Sequence, residues 1–166
     1  MPRTPRLLAL LAAALALPSA PAAAKDSLGI FDEWGAFRDP QAPRCYAIAK
    51  PASSRLRRDF EPFASVGTWP RRNIRGQVHF RLSRKIDSNR PITLVINDRR
   101  FALTGSGADA WARDPAMDAA IIAAMRSGAR MVVGASGTNG QRFSNSYDLG
   151  GAATAMDAAT VGCARR

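Results

Sequence analysis

The fold is decided by residues 114–149, which read DPAMDAAIIAAMRSGARMVVGASGTNGQRFSNSYDL. This stretch predicts a helix over about 114–127 that runs directly into a β-hairpin. Asp114 suits the N-cap, where its carboxylate accepts an unpaired backbone N–H, and Pro115 suits the first helical position, where no N–H is missed. We expect Gly128 to end the helix in the left-handed conformation, which glycine adopts at little cost.

The helix has an apolar face, because Met117, Ile121 and Met125 recur every four residues. Asp118 lies near the positive end of the helix and Arg126 near the negative end, as the helix dipole favours. We therefore expect this helix to lie with its apolar face on a sheet.

The hairpin has its turn signal at Asn139 and Gly140. A two-residue turn there would place Met131 and Val133 opposite the polar residues Asp148 and Ser146. A three-residue loop over 138–140, with Gly140 left-handed in a bulge, instead keeps the apolar residues of both strands on one face. The sequence predicts the bulged form, whose shared apolar face consists of Met131, Val133, Ala135, Phe143, Tyr147 and Leu149.

The start of the chain predicts a cleaved signal peptide over residues 1–24, with two early arginines, an apolar run over 7–17 and three alanines at 22–24. The apolar run is shorter than the ~20 residues that a membrane-spanning helix needs, so we expect cleavage before Lys25 rather than an anchored protein. Residues 25–166 are expected to form a single β-rich domain of periplasmic or secreted location.

The exported part is strongly basic. Loss of the two leader arginines lowers the formal net charge from +11 to +9, which favours anionic partners such as envelope or host-surface components. Guanidinium groups bind phosphate and carboxylate well. A solvated surface, or an arginine bias from a GC-rich genome, is the alternative explanation. The candidate anion-binding residues are Arg55, Arg57, Arg58, Arg71, Arg72 and Arg75.

The two cysteines, Cys45 and Cys163, both remain after cleavage. An even number of cysteines in an oxidising compartment favours a disulfide, which would close a very long loop and tie the C-terminus to the first strands. The alternative is two separate buried thiols.

No catalytic residue, metal ligand set or cofactor site is predicted. The segment from Gly105 to Ala110 matches G-x-G-x-x-A, but no helix opens on the glycines as a dinucleotide site requires. His79 is the single histidine, so an alternative function as a small periplasmic hydrolase would have to use it. Its place on the polar side of an alternating strand favours a surface role instead.

The rest of the chain predicts short strands with turn signals between them. These strands lie at about 30–37, 44–49, 65–69, 77–83, 92–96 and 101–103. After the hairpin, an alanine-rich segment to about Ala159 predicts a short C-terminal helix that brings Cys163 to the body of the domain. The fold class expected is mainly β, an antiparallel β-sandwich-like single domain with one internal helix and one terminal helix.

With these patterns established, the chain resembles the invasion-associated locus B family of exported bacterial proteins. The resemblance rests on the strand pair over 92–103, the run MDAAIIAAMRSGARMVV, the glycine-centred hairpin and the tail DLGGAATAMDAA. Trp34 and the pair Arg44-Cys45 add a weaker similarity near the start.

The resemblance implies a periplasmic or secreted sandwich-like domain, with relatives linked to bacterial invasion of host cells and no assigned enzymatic chemistry. The chain departs from the family pattern in its cysteines. Phe37 and Arg38 stand where a cysteine often follows the tryptophan, and residues 105–111 lack the cysteines often found before the helix. A Cys45–Cys163 bond would therefore be a different cross-link from the family's usual arrangement.

Overall fold

The computed structural model describes residues 24–53 and 58–164, and within them it has ten strands, two α-helices and a short 3-10 helix. The strands are β1 (Asp26–Phe31), β2 (Trp34–Asp39), β3 (Arg44–Ala49), β4 (Phe63–Trp69), β5 (Ile74–Arg81), β6 (Ile92–Ile96), β7 (Arg99–Ser106), β8 (Asp109–Trp111), β9 (Arg130–Ser136) and β10 (Arg142–Asp148). The helices are α1 (Pro115–Ser127), α2 (Ala152–Ala164) and the 3-10 helix Pro70–Arg72. The predicted leader lies outside the described residues, except for Ala24.

The ten strands form one antiparallel sheet in the order β1-β2-β3-β4-β5-β8-β7-β6-β9-β10. Strand β7 joins the two halves, because its first part pairs with β6 and its last three residues pair with β8. The sheet folds over so that β10 returns to the first half. There the Trp34 indole N–H donates to the Asp148 carbonyl at 2.9 Å, and the Ser83 N–H donates to Asn145 Oδ1 at 3.1 Å. This confirms the predicted mainly β, sandwich-like single domain.

The core fills the space between the two halves of the folded sheet and beneath the helices. The ring centroids of Phe80 and Tyr147 lie 6.2 Å apart across this space, and both rings are fully or almost fully buried. Helix α1 packs on β5, while α2 packs across β1, β2, β3 and β4. The buried residues of α2 are Ala152, Ala155, Met156 and Ala159, which lie on one side of the predicted C-terminal helix.

The central stretch folds as predicted. The Asp114 carboxylate accepts the Met117 N–H at 2.8 Å as the N-cap of α1. In the hairpin, the Gly137 N–H donates to the Gln141 carbonyl at 2.9 Å, and Gly140 has a φ of 77°. The three-residue loop is thus confirmed, and the whole predicted apolar set is buried.

The predicted conformation of Gly128 is wrong. It lies at the C-cap of α1 with φ −87° and ψ 154°, which is extended rather than left-handed. Space explains the glycine instead, because a Cβ there would lie 2.8 Å from Ile96 Cγ2 and 3.0 Å from both the Ala124 carbonyl oxygen and Leu149 Cδ1. Gly128 therefore allows the chain to pass closely between the helix and the sheet.

Two strand predictions also need correction. The single strand expected over 30–37 is a hairpin of β1 and β2, with a tight turn at Asp32, whose φ is 48°. The strand expected over 101–103 is the longer β7, which is followed by a turn with Gly107 at φ 64° and by the short strand β8, which was not predicted. Alternation alone missed both, because an aspartate in a left-handed turn and a three-residue strand leave little periodic signal.

Helix α1 completes the hydrogen bonding of β5. Val78 directly precedes His79, the first residue of β5 that pairs with β8. The Val78 N–H donates instead to Asp118 Oδ1 on α1 at 2.8 Å. Burial raises the pKa of Asp118 above its usual 3.8, although the Val78 hydrogen bond acts in the opposite direction. The carboxylate thus holds helix and strand together but is disfavoured in its charged form.

Two substitutions of Asp118 should separate these effects. Asp118→Ala leaves the Val78 N–H without its acceptor and should lower the free energy of unfolding by about 1–3 kcal/mol. Asp118→Asn keeps an acceptor oxygen without the charge and should be more stable than the unchanged protein at pH 7. Because the folded pKa is raised, the cost of the charged Asp118 is absent below pH 3.8 and appears as the pH rises through the folded pKa. Urea unfolding across pH 3.5–7 should show the Asn advantage growing in that window.

Asp157 provides a control of opposite sign, because hydrogen bonding by the Arg126 guanidinium lowers its pKa. The stabilising contribution of its charge is present above pH 3.8 and is lost as the pH falls through the lowered folded pKa. Asp157→Asn should therefore be at its greatest disadvantage near neutral pH. An Asn advantage at position 118 that stays constant with pH would contradict the role assigned to burial.

Candidate anion-binding site

Three of the predicted arginines lie in the connection between β4 and β5 and at the start of β5, a segment called here the 71–75 turn. Pro70 opens the 3-10 helix that carries Arg71 and Arg72, and Asn73 ends it with φ 53° while its N–H donates to the Pro70 carbonyl at 3.1 Å. Arg75 is the second residue of β5. All three arginine side chains are exposed, so this turn presents a cluster of positive charge to solvent.

A groove of about 360 Å³ lies beside this turn, between α1 and α2 and above β4 and β5. Its lining is mostly apolar, with Arg75 and Arg126 as its charged residues. The other lining residues are Val66, Thr68, Pro70, Gly76, Ile122, Met156, Ala159, Thr160, Cys163 and Ala164. The groove therefore combines an apolar interior with a basic rim.

A second, smaller pocket of about 200 Å³ lies on the other side of Pro70 and Cys163 and includes Arg71. Arg44 also lines it, with its guanidinium carbon 4.7 Å from the centre of the Tyr46 ring. Cys163 is shared by both pockets and is bonded to Cys45 of β3. The disulfide thus fixes the last turn of α2 between the groove that contains Arg75 and the pocket that contains Arg71.

The arginines of this turn differ from most others in their partners. Within residues 24–53 and 58–164, Arg71, Arg72 and Arg75 form no ion pair with a carboxylate. Seven other arginines do form one: Arg38, Arg44, Arg81, Arg90, Arg113, Arg126 and Arg130. A guanidinium without a carboxylate keeps its charge and its donors available for an external anion.

The remaining predicted arginines are not in this cluster. Arg55 and Arg57 lie outside the described residues. Arg58 adjoins Asp59, whose N–H donates to the Ser83 carbonyl at 2.8 Å beyond the far end of β5. An eight-residue strand is roughly 25 Å long, so the structure separates Arg58 from the 71–75 turn. Arg58 instead contributes positive potential near the buried Tyr147 hydroxyl.

His79 lies in an aromatic and charged cluster on the side of β5 away from the core. Its Nε2 is 2.9 Å from Asp109 Oδ1, and Arg81 binds the other oxygen of the same carboxylate. The imidazole is stacked on Trp111 with centroids 5.2 Å apart, and it meets the edge of Phe63 at 5.3 Å. The ring is therefore held in place by β4, β5 and β8 together.

This arrangement supplies only part of what a hydrolase needs. The His79–Asp109 contact resembles the base and its orienting carboxylate. Ser65 lies directly opposite His79 in the β4–β5 register, but no hydroxyl donates to His79 in the part of the chain that the structure covers. Both cysteines are in the disulfide. A nucleophile in contact with the base is therefore lacking among these residues.

Among the described residues, no group of three or more histidine, cysteine, aspartate or glutamate side chains is placed to hold a metal ion. Neither α1 nor α2 has the length and apolar character that a membrane-spanning helix requires.

The groove was not predicted from the sequence. Ile122 and Arg126 are four residues apart on α1, and Met156, Thr160 and Cys163 follow a similar spacing on α2. On α1 this spacing marks a second side next to the one that faces the core, whereas on α2 the groove side overlaps the core side at Met156. The signal is present, but which two helix sides face each other is decided only by tertiary packing.

The comparisons with known proteins agree with the fold. The family model described as "Invasion associated locus B (IalB) protein" matches residues 82–160. The crystal structure of invasion associated protein B from Bartonella henselae matches with a TM-score of 0.56 at 12% identity, covering 84% of this chain and 97% of that one. No curated protein matches this sequence. The structural likeness shows the shared fold, and over residues 82–160 the chain is similar to the invasion associated locus B family.

Proposed function

We propose that this protein is exported and acts as a non-enzymatic accessory protein that binds anionic envelope or host-surface components through the turn containing Arg71, Arg72 and Arg75. One observation carries the proposal: three neighbouring, exposed guanidinium groups have no carboxylate partner in the described ranges, although most other arginines have one. The similarity to invasion associated locus B proteins over residues 82–160 supports a role in contact with other molecules. Export is supported by the predicted leader over 1–24.

Binding to a polyanion as a function of salt tests the proposal. The experiment uses the processed protein from the periplasmic or culture fraction, whose first residue should be Lys25, and immobilised heparin as the probe. The variant Arg71→Glu/Arg72→Glu/Arg75→Glu should be eluted at much lower salt than the unchanged protein. Each lost contact should lower the slope of log affinity against log salt concentration by about one, because fewer counterions are released.

A matched variant controls for net charge. Arg99, Arg100 and Arg142 are also exposed and also lack a carboxylate partner in the described part of the chain, but they lie on the β6–β7 and β9–β10 half of the sheet. Arg99→Glu/Arg100→Glu/Arg142→Glu changes the net charge by the same amount. It should retain most of the heparin binding. Equal losses in the two variants would mean that binding follows overall charge, and the proposed site would be wrong.

The hydrolase alternative rests on the His79–Asp109 contact alone. Asp109 also binds Arg81, and the imidazole is packed between Phe63 and Trp111. These contacts explain the cluster as a structural link between β5 and β8. The arginine turn is therefore the better supported functional site.

A further inference from the structure

We propose that the groove between α1 and α2 binds a single aliphatic chain that carries an anionic head group, with the chain in the groove and the head at Arg75. This inference rests on the proposed function for its charged contact and names the chemical class of the ligand. A pocket of about 520 Å³ on the other half of the sheet also combines apolar residues with arginines that lack a carboxylate partner in the described ranges, Arg100 and Arg142. The groove differs from that pocket in having apolar walls from two helices, so Arg100→Gln serves to distinguish the two sites.

The interior of the groove suits a hydrocarbon. Its volume of about 360 Å³ lies within the range of small-molecule sites, which begin near 300 Å³. Ile122 forms one wall from α1, and Met156 with Ala159 forms the other from α2. The Thr160 hydroxyl donates to the Met156 carbonyl at 2.8 Å, so its proton is already used within the helix. A polar ligand would find few hydrogen-bond donors there, whereas the transfer of a methylene chain from water into this apolar groove is favourable.

The two arginines of the groove have different roles. Arg126 Nη2 lies 2.6 Å from Asp157 Oδ1, which links α1 to α2 and neutralises that guanidinium. Arg75 has no carboxylate partner in the described ranges and lies at the same groove. One positive charge is therefore left without a counterion beside an apolar interior. An anion attached to an aliphatic chain complements both features, whereas a free phosphate complements only the charge.

The backbone brings the groove wall close to its floor. Gly76 has a φ of 68°, and a Cβ at this position would lie 2.8 Å from Ile122 Cδ1. The glycine lets α1 approach β5 directly after Arg75, so the charged residue and the apolar wall become neighbours. The opposite wall, on α2, is held by the disulfide between Cys163 and Cys45 of β3.

The test uses alkyl phosphates below their micelle concentrations, with binding measured by calorimetry on the processed protein. Octyl, decyl and dodecyl phosphate should bind progressively more tightly, by about threefold to fourfold for each methylene that enters the groove. Inorganic phosphate should bind far more weakly than dodecyl phosphate. Equal affinity for inorganic and dodecyl phosphate would overturn the proposal, because the groove would then contribute nothing.

Two variants of one helix locate the chain. Thr160 is an exposed residue that lines the groove, and Thr154 is an exposed residue of α2 that does not. Thr160→Trp should fill the groove and weaken dodecyl phosphate binding at least about tenfold, while Thr154→Trp should leave it within about twofold. Equal effects would overturn the assignment. If Thr160→Trp lowers the melting temperature, Ala164→Trp, at the end of α2, fills the same groove and gives the same test.

A third comparison locates the head group. Arg75→Gln should weaken dodecyl phosphate binding about fivefold to tenfold, whereas Arg100→Gln should not, and neither should change the affinity for uncharged dodecanol. Dodecanol binding as tightly as dodecyl phosphate would overturn the role of Arg75. These results are independent of the heparin experiment. If dodecyl phosphate does not bind as expected but the heparin experiment distinguishes the two triple variants, this inference alone is rejected. If dodecyl phosphate binds as expected but the two triple variants lose heparin binding equally, the polyanion site alone is rejected.

Discussion

Removal of the Cys45–Cys163 bond, by reduction or by Cys45→Ala/Cys163→Ala, should lower the free energy of unfolding by about 4 kcal/mol. The cysteines are 118 positions apart, and in the chain-entropy description a loop of roughly 100 residues gives a stabilisation of about 4.7 kcal/mol at 25 °C. The unlinked denatured chain gains this freedom, whereas the native contacts of β3 and α2 remain available. Urea unfolding measures the difference, and a larger denaturant slope should accompany it because the denatured chain becomes more expanded.

The reductant response of the double variant is the control. A reducing agent should destabilise the unchanged protein and leave Cys45→Ala/Cys163→Ala unaffected, because that variant has no bond to break. The variant should also bind dodecyl phosphate less tightly, since Cys163 lines the groove and its bond fixes the last turn of α2. A loss of stability below about 1 kcal/mol would show that the cross-link does not restrict the denatured chain as this description requires.

The parts of the fold that were predicted correctly are those with strong local signals. Helix α1 has an aspartate cap, a proline at its first position and a regular apolar face, and each of these acts within a few residues. The bulged hairpin was predicted because one register buries every apolar residue and the other does not. The C-terminal helix was predicted from its run of alanines. Local rules and tertiary packing agree at these places, so the sequence alone was sufficient.

The parts that were missed depend on distant contacts. The turn at Asp32 interrupts what looks like one strand, and β8 exists because it completes the sheet between β5 and β7. Gly128 was assigned a helix-ending conformation, but its role is set by Ile96 and Leu149, which come from elsewhere in the chain. No local pattern contains that information.

The candidate site shows the same division. The excess of arginine over acidic residues was visible in the sequence, but the sequence grouped Arg58 with the 71–75 turn, and the structure places them at opposite ends of β5. Which arginines have carboxylate partners is also a tertiary property. Arg126, for example, is neutralised by Asp157 from a different helix, 31 residues later. Charge composition therefore predicts a class of partner, whereas the fold determines the surface that meets it.

The tail that supports the family resemblance contains Gly151, and Gly151→Ala should be among the most destabilising single substitutions in the chain. Gly151 has a φ of 77°, and a Cβ there would lie 2.0 Å from the carbonyl oxygen of Phe31, the last residue of β1. The left-handed conformation costs a residue with a Cβ about 1–2 kcal/mol. The contact with backbone adds a further ~1–3 kcal/mol, because β1 or the start of α2 must move. Urea unfolding should therefore show a loss of about 2–5 kcal/mol.

Gly140→Ala isolates the first of these two costs. Gly140 has the same φ of 77°, but no atom lies within 4 Å of its hypothetical Cβ. Gly140→Ala should therefore lower the free energy of unfolding only by the ~1–2 kcal/mol that the left-handed conformation costs a residue with a Cβ. The difference between the two variants then measures the close approach of α2 to β1, which sets where the α2 wall of the groove begins. If both variants lose the same amount, the Phe31 carbonyl moves aside freely, and the junction of β1 and α2 is not the rigid support that the groove requires.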